Sequence, residues 1–172
     1  EQVYRYRNKM EFSFSDSPWF TEGSENKPRD FALGLHVPGR FDRVIDIDTC
    51  LLQSERMDEV LALVKQYTHE SGLPAYNVRR HTGYFRFLVL REGRQTGDML
   101  VNLVTSGQES RRGESITEEL LKKIGREAPY ITTLIHSITD SKSQTSYSDS
   151  VRIISGNGRI EENIGHTRYE IS

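Results

Sequence analysis

The chain has 172 residues, of which 28% are charged, and a formal net charge of −2; that length suits one domain with a hydrophobic core of its own. It lacks the overall basic balance of a nucleic-acid-binding domain, so any such contact has to come from a local patch. Mean hydropathy is −0.63, no apolar run reaches the ~18 residues of a membrane span, and the polar start, Glu1 to Arg7, has no signal-peptide core behind it.

Residues 7–15 alternate strictly, with Met10, Phe12 and Phe14 on one side and Arg7, Lys9, Glu11 and Ser13 on the other, the pattern of a half-buried strand. Residues 16–30 read as a long surface loop holding Trp19 and Phe20 as an anchor. Residues 31–37 and 44–47 form an expected hairpin around Pro38-Gly39-Arg40. Residues 54–69 carry Met57, Val60, Leu61, Val64 and Tyr67 at helical spacing, with Ser54 placed to cap and Gly72 and Pro74 to terminate. Strands over 84–91 and 98–105 make a second hairpin. A second helix is expected over 117–126, ended by Pro129, then a strand over 131–139 and a mobile loop over 140–150. Short strands follow at 151–154, 159–164 and 168–171, with Gly156-Asn157-Gly158 read as a hairpin turn. The sum is an α+β domain, an antiparallel sheet built of hairpins with two helices packed on one face.

Catalytic signals are weak. Asp46 with Asp48, and Glu161 with Glu162, are paired carboxylates, but neighbouring surface acids are far commoner than acid–base pairs. None of the five histidines is at helical metal spacing, and neither Cys-x-x-Cys nor Gly-x-Ser-x-Gly is present. No strand–glycine-loop–helix frame for a nucleotide or S-adenosylmethionine occurs. The single cysteine, Cys50, rules out an internal disulfide, which fits a reducing, cytoplasmic setting. The basic clusters are more informative. Arg5, Arg7 and Lys9 interleave with Tyr4 and Tyr6, and Arg79, Arg80 and His81 lead towards Arg86, Arg91 and Arg94. Cations pair with phosphate, and aromatic rings stack on unpaired bases.

Several segments, taken in order, resemble the RNA uracil-C5 methyltransferases, notably the 23S ribosomal RNA (RumA-like) branch. They are Tyr6-Arg7-Asn8-Lys9-Met10-Glu11-Phe12; Leu33-Gly34-Leu35-His36 with Pro38-Gly39-Arg40, Val44-Ile45-Asp46-Ile47 and Cys50; Arg86 to Gly93 with Gly97 to Val104; and Ile135-His136-Ser137 with Gly165 to Ser172. The resemblance implies a reaction in which a cysteine adds to C6 of a flipped uracil, C5 takes the methyl group of S-adenosylmethionine, and a base removes the C5 proton. In that family the nucleophile, base and cofactor loop lie beyond the matching segment, so no catalytic residue is carried over.

The resemblance makes residues 1–172 the central RNA-recognition domain of a larger enzyme, without its N-terminal cluster and TRAM part or its C-terminal S-adenosylmethionine domain. A first residue other than Met and an abrupt end fit that expectation. It implies RNA contact by Arg7, Lys9 and Glu11, then Arg40, Arg86 and Arg91. It also makes Cys50 the fourth ligand of a 4Fe-4S cluster in the cluster-bearing members. The partner expected is ribosomal RNA, with no DNA and no membrane, and the segment alone is expected to bind no cofactor and to be inactive. The competing reading is a freestanding, non-enzymatic α+β module that binds RNA or another ligand; a small self-sufficient hydrolase lacks any motif.

Overall fold

A computed structural model describes residues 3–23 and 26–172. Its elements are β1 (Lys9–Ser15), β2 (Pro18–Trp19), β3 (Ala32–His36), β4 (Val44–Asp46), α1 (Glu55–Glu70), β5 (Phe85–Glu92), β6 (Met99–Thr105), α2 (Ser110–Glu127), β7 (Thr133–Ile138), β8 (Ser150–Ser155), β9 (Ile160–Ile164) and β10 (Thr167–Ile171). The first eight strands form one sheet in the order β2-β4-β3-β1-β5-β6-β7-β8, and β9 pairs with β10 separately. The α+β class holds, and the sheet is mostly antiparallel. Two pairs are parallel, β2 with β4 and β6 with β7, the second because α2 carries the chain back between β6 and β7.

The alternation of β1 places Met10 opposite Leu90 and Phe12 opposite Leu88, and those rows run on through Leu103 and Val101 of β6. This is the inner face, where Met57, Val60, Leu61 and Val64 of α1 and Leu120, Leu121 and Ile124 of α2 complete the core. Both helices therefore lie on one side, as a two-layer fold requires. The Ser54 hydroxyl accepts the Met57 N–H at 3.2 Å and caps α1. Glycine at position 72, with φ +69°, turns the chain out of the helix.

Three sequence expectations change. α2 starts at residue 110 rather than 117. Its first turns lack an apolar stripe because Gly113 lies against the Tyr84 ring, where an added Cβ would come within 2.9 Å. Residues 18–19 inside the expected loop pair with Val44 and Ile45 as the edge strand β2. Gly156-Asn157-Gly158 is not a hairpin turn, since β8 pairs with β7 and β9 with β10. It is a crossover that leaves the sheet so that Ile160 can cover Leu100 and Ile135 on the outer face. Among the described residues no helix is long and apolar enough to cross a membrane.

Candidate nucleic-acid interface

The outer face of the sheet carries the polar half of each alternating strand. Lys9 of β1 stands directly opposite Arg91 of β5, and Glu11 opposite Val89. Residues paired in this way project to the same side with Cβ atoms roughly 5 Å apart, and two like charges there cost stability. Among the described residues neither side chain has a hydrogen-bond or ion-pair partner. Arg7 and Lys9 are exposed and Arg91 is half-buried. The Arg94 guanidinium reaches the Arg7 carbonyl at 3.3 Å, which brings a further cation to the same corner. A groove of about 630 Å³ opens beside it, lined by Asn8, Arg94, Gln95 and residues 162–165.

The far wall of that groove is the β9–β10 hairpin, fastened by two carboxylates, Glu162 and Asp98, the latter accepting the Glu161 N–H at 2.9 Å. Glu162 is buried and accepts the N–H groups of Arg94 at 2.6 Å, Gln95 at 3.1 Å and Asn163 at 2.9 Å. Gly93 lets the two backbones meet, because a Cβ there would lie 2.1 Å from the Glu161 carbonyl oxygen. Glu161 and Glu162 are thus separate: Glu162 braces a loop, and Glu161 pairs with Arg168. Asp46 and Asp48 are both bridged by Lys27 and Lys65, at 2.8–3.0 Å. Neither acidic pair faces an open catalytic cleft as a free acid–base couple.

The remaining site expectations divide. Glu11 is half-buried and accepts the Ser146 hydroxyl at 3.0 Å, so the 140–149 loop reaches this face. Arg86 is corrected. It lies at a bulge between Phe85 and Phe87 and is 1% exposed, covered by the 140–149 loop. Its guanidinium donates to the carbonyls of Thr139, Ser141 and Ser143 at 2.6–3.0 Å and lies 4.3 Å from the Tyr76 ring centroid. With both terminal nitrogens bonded to the chain, and Nε buried without a partner among the described residues, Arg86 holds the 140–149 loop in place instead of meeting phosphate. Arg40 sits on the β3–β4 turn with its guanidinium 5.6 Å from the Trp19 ring centroid. Arg5 leaves the basic row as well: φ +59° turns it, and it donates to the Cys50 and Gln53 carbonyls and to Asp58.

Two outer-face atoms to which the sequence assigned no role are Asn102 Oδ1 and Ser137 Oγ, buried without a hydrogen-bond partner among the described residues. Periodicity marks both only as polar residues within apolar strands. On the inner side, His136 shares a 2.8 Å hydrogen bond with Thr105 through Nε2. Burial pushes its pKa down to about 4, against the opposing pull of Glu114.

Cys50 is a half-buried free thiol, its N–H held by Asp58 at 2.9 Å. A four-iron cluster takes four thiolates, and the chain has one cysteine. Among the described residues no cluster of histidine, cysteine and carboxylates could hold a metal. The residues present therefore do not by themselves fit such a group, nor does any glycine-rich loop fit S-adenosylmethionine.

No protein-family model matches the chain. By sequence it is related to proteins named uncharacterised RNA methyltransferases. One from Chlorobaculum tepidum is 34% identical over 172 residues, covering 97% of this chain and 35% of that protein. One from Caldanaerobacter subterraneus subsp. tengcongensis is 32% identical over 174 residues, covering 99% and 36%. The chain thus spans about a third of the length of the curated relatives it matches. Among solved structures, it superimposes on the Pyrococcus abyssi tRNA (uracil-54, C5)-methyltransferase in complex with S-adenosyl-L-homocysteine. That match has a TM-score of 0.69 at 22% identity and covers 99% of this chain and 36% of that one. The likeness shows a shared fold for the segment.

Proposed function

We propose that this chain is the RNA-recognition segment, residues 1–172, of an S-adenosylmethionine-dependent RNA (uracil-C5) methyltransferase, and that alone it binds RNA without methylating it. The observation that carries the reading is Lys9 facing Arg91 across β1 and β5, with no ion-pair partner for either side chain among the described residues. The fold gains nothing from two apposed cations, whereas an RNA phosphate would neutralise both. The relationship to proteins named RNA methyltransferases supports the same class of substrate.

Arg7, Lys9 and Arg91 are the proposed phosphate contacts, and Glu11 sets the position of the 140–149 loop beside them. Arg40 contributes from the β3–β4 turn. Their role is to seat the RNA so that a flipped uracil can reach a reaction centre held by other parts of the enzyme, where the cofactor supplies the methyl group. Ribosomal RNA in the cytoplasm is the proposed substrate. Cys50 is proposed as one thiolate of an iron–sulfur cluster completed by cysteines outside this segment.

The test is binding of a labelled single-stranded oligoribonucleotide across a salt series. Wild-type affinity should fall linearly with the logarithm of salt concentration. The Lys9→Ala, Arg91→Ala double variant should bind more weakly and lower that slope by about 1.4, roughly 0.7 for each lost phosphate contact. Unchanged affinity and slope in the double variant would remove these residues from the RNA interface.

A further inference from the structure

We propose that the β2 edge of the sheet is a second RNA surface, a stacking platform for unpaired bases built from alternating rings and guanidinium groups. The proposal rests on the RNA-binding reading above and shares Arg40 with it, but its rings lie outside the Lys9–Arg91 corner. Trp19 is 40% exposed, Phe20 46% and Phe41 61%, and each has an arginine over it. Arg29 lies 5.8 Å from the Phe20 centroid, Arg40 5.6 Å from Trp19 and Arg79 5.5 Å from Phe41.

The three pairs are linked through the chain. Trp19 and Phe20 are consecutive, as are Arg40 and Phe41, and Arg40 over Trp19 joins the two segments. The pairing of Trp19 with Ile45 fixes this row on the outermost strand of the sheet.

The composition selects the ligand. A protein-docking surface centres on an apolar core, commonly with aliphatic side chains packed around the aromatic anchors. Here the exposed apolar side chains are aromatic and separated by cations. Every nucleobase offers a flat π-face to such rings, and the guanidinium groups can stack on bases or meet phosphate. Asp42 pairs with Arg79 at 2.7 Å, whereas Arg29 and Arg40 form no salt bridge among the described residues. Arg29 and Arg40 can therefore add phosphate contacts to the stacking, and Phe41, which carries no charge, isolates the stacking part.

Trp19 is the sole tryptophan, so its fluorescence reports the platform directly. The chain is titrated with a short labelled single-stranded oligoribonucleotide and with the same sequence as a duplex, following tryptophan emission and RNA anisotropy together. The single strand should quench Trp19 to saturation, and the duplex should not. Phe41→Ala should weaken single-strand binding about tenfold, the usual scale for one base–aromatic stack, with an unchanged salt slope. Phe41→Leu, which keeps bulk without a ring, should behave like the alanine variant. The Lys9→Ala, Arg91→Ala variant should still quench fully once saturated.

RNA binding seen by anisotropy with constant Trp19 emission, and wild-type affinity in both Phe41 variants, would overturn the platform while leaving the RNA-binding reading intact. No RNA binding at all would overturn both. Quenching produced by raising protein concentration without RNA would assign the surface to self-association and overturn the proposal.

Discussion

Arg86 and Lys9 are both cations on strands of one sheet, yet they have opposite duties. Arg86 is buried with its two terminal nitrogens on three carbonyls, while Lys9 is exposed with no side-chain partner among the described residues. Strict alternation would put Arg86 with Leu88 and Leu90 on the inner face; at the bulge before Phe87 it instead meets the 140–149 loop, which reaches Glu11 on the outer face. Arg86→Met should cost about 2 kcal/mol, the scale of losing hydrogen bonds to a charged group. It should also raise amide exchange over 139–149, read by hydrogen exchange with mass spectrometry. Unchanged exchange there would show that the loop stands without its clasp.

His136 gives the residue scale a pH dependence. Its folded pKa of about 4 lies below the ~6.5 of an unfolded histidine. As pH falls, the unfolded chain takes up this proton first. The contribution of His136 is therefore complete above about pH 6.5 and is lost on the way down to pH 4, by up to ~1.4 kcal/mol per pH unit. Urea midpoints at pH 7 and pH 5 should fall less in His136→Gln, which keeps a partner for Thr105, than in the wild type. Equal falls would place the acid sensitivity at groups other than His136.

At the scale of elements, local patterns were legible and docking was not. The 31–47 and 84–105 hairpins, the capped α1 and the alternation of β1 follow from periodicity and turn residues, because each depends on neighbours close in sequence. The β9–β10 hairpin could be read as short strands, but its attachment could not. That attachment depends on Gly93 and Glu162, whose partners lie more than sixty residues away in sequence. Gly93→Ala forces a Cβ to 2.1 Å from the Glu161 oxygen and should cost about 1–3 kcal/mol. Its signature should be local: faster exchange over 160–171 with β5 and β6 still protected. Uniform loss of protection would show instead that the hairpin and sheet unfold as one unit.

At the scale of the whole molecule, β1 joins what the sequence separates, pairing with β3 on one side and with β5 on the other. This single placement sets Lys9 against Arg91 and forms the candidate RNA corner. Half of that pair was visible as an alternating basic strand; its other half belongs to a hairpin far along the chain, and no spacing rule links them. The net charge of −2 likewise concealed a division of labour. Acids such as Asp46, Asp48 and Asp58 are engaged with Lys27, Lys65 and Arg5, leaving a few cations unmatched where the sheet faces outward.

The two margins of the eight-stranded sheet are guarded unequally. β2 is two residues long and begins with proline, so it offers almost no template to an incoming strand. β8 is six residues long, is last in the strand order and exposes Val151 and Ile153. Its protection is a register irregularity against β7 and a cation, Arg152, that reaches in to Glu114. Irregularity and charge hinder β-pairing between molecules without preventing it, so crowding the isolated chain would favour fibre-like or swapped assemblies seeded at β8.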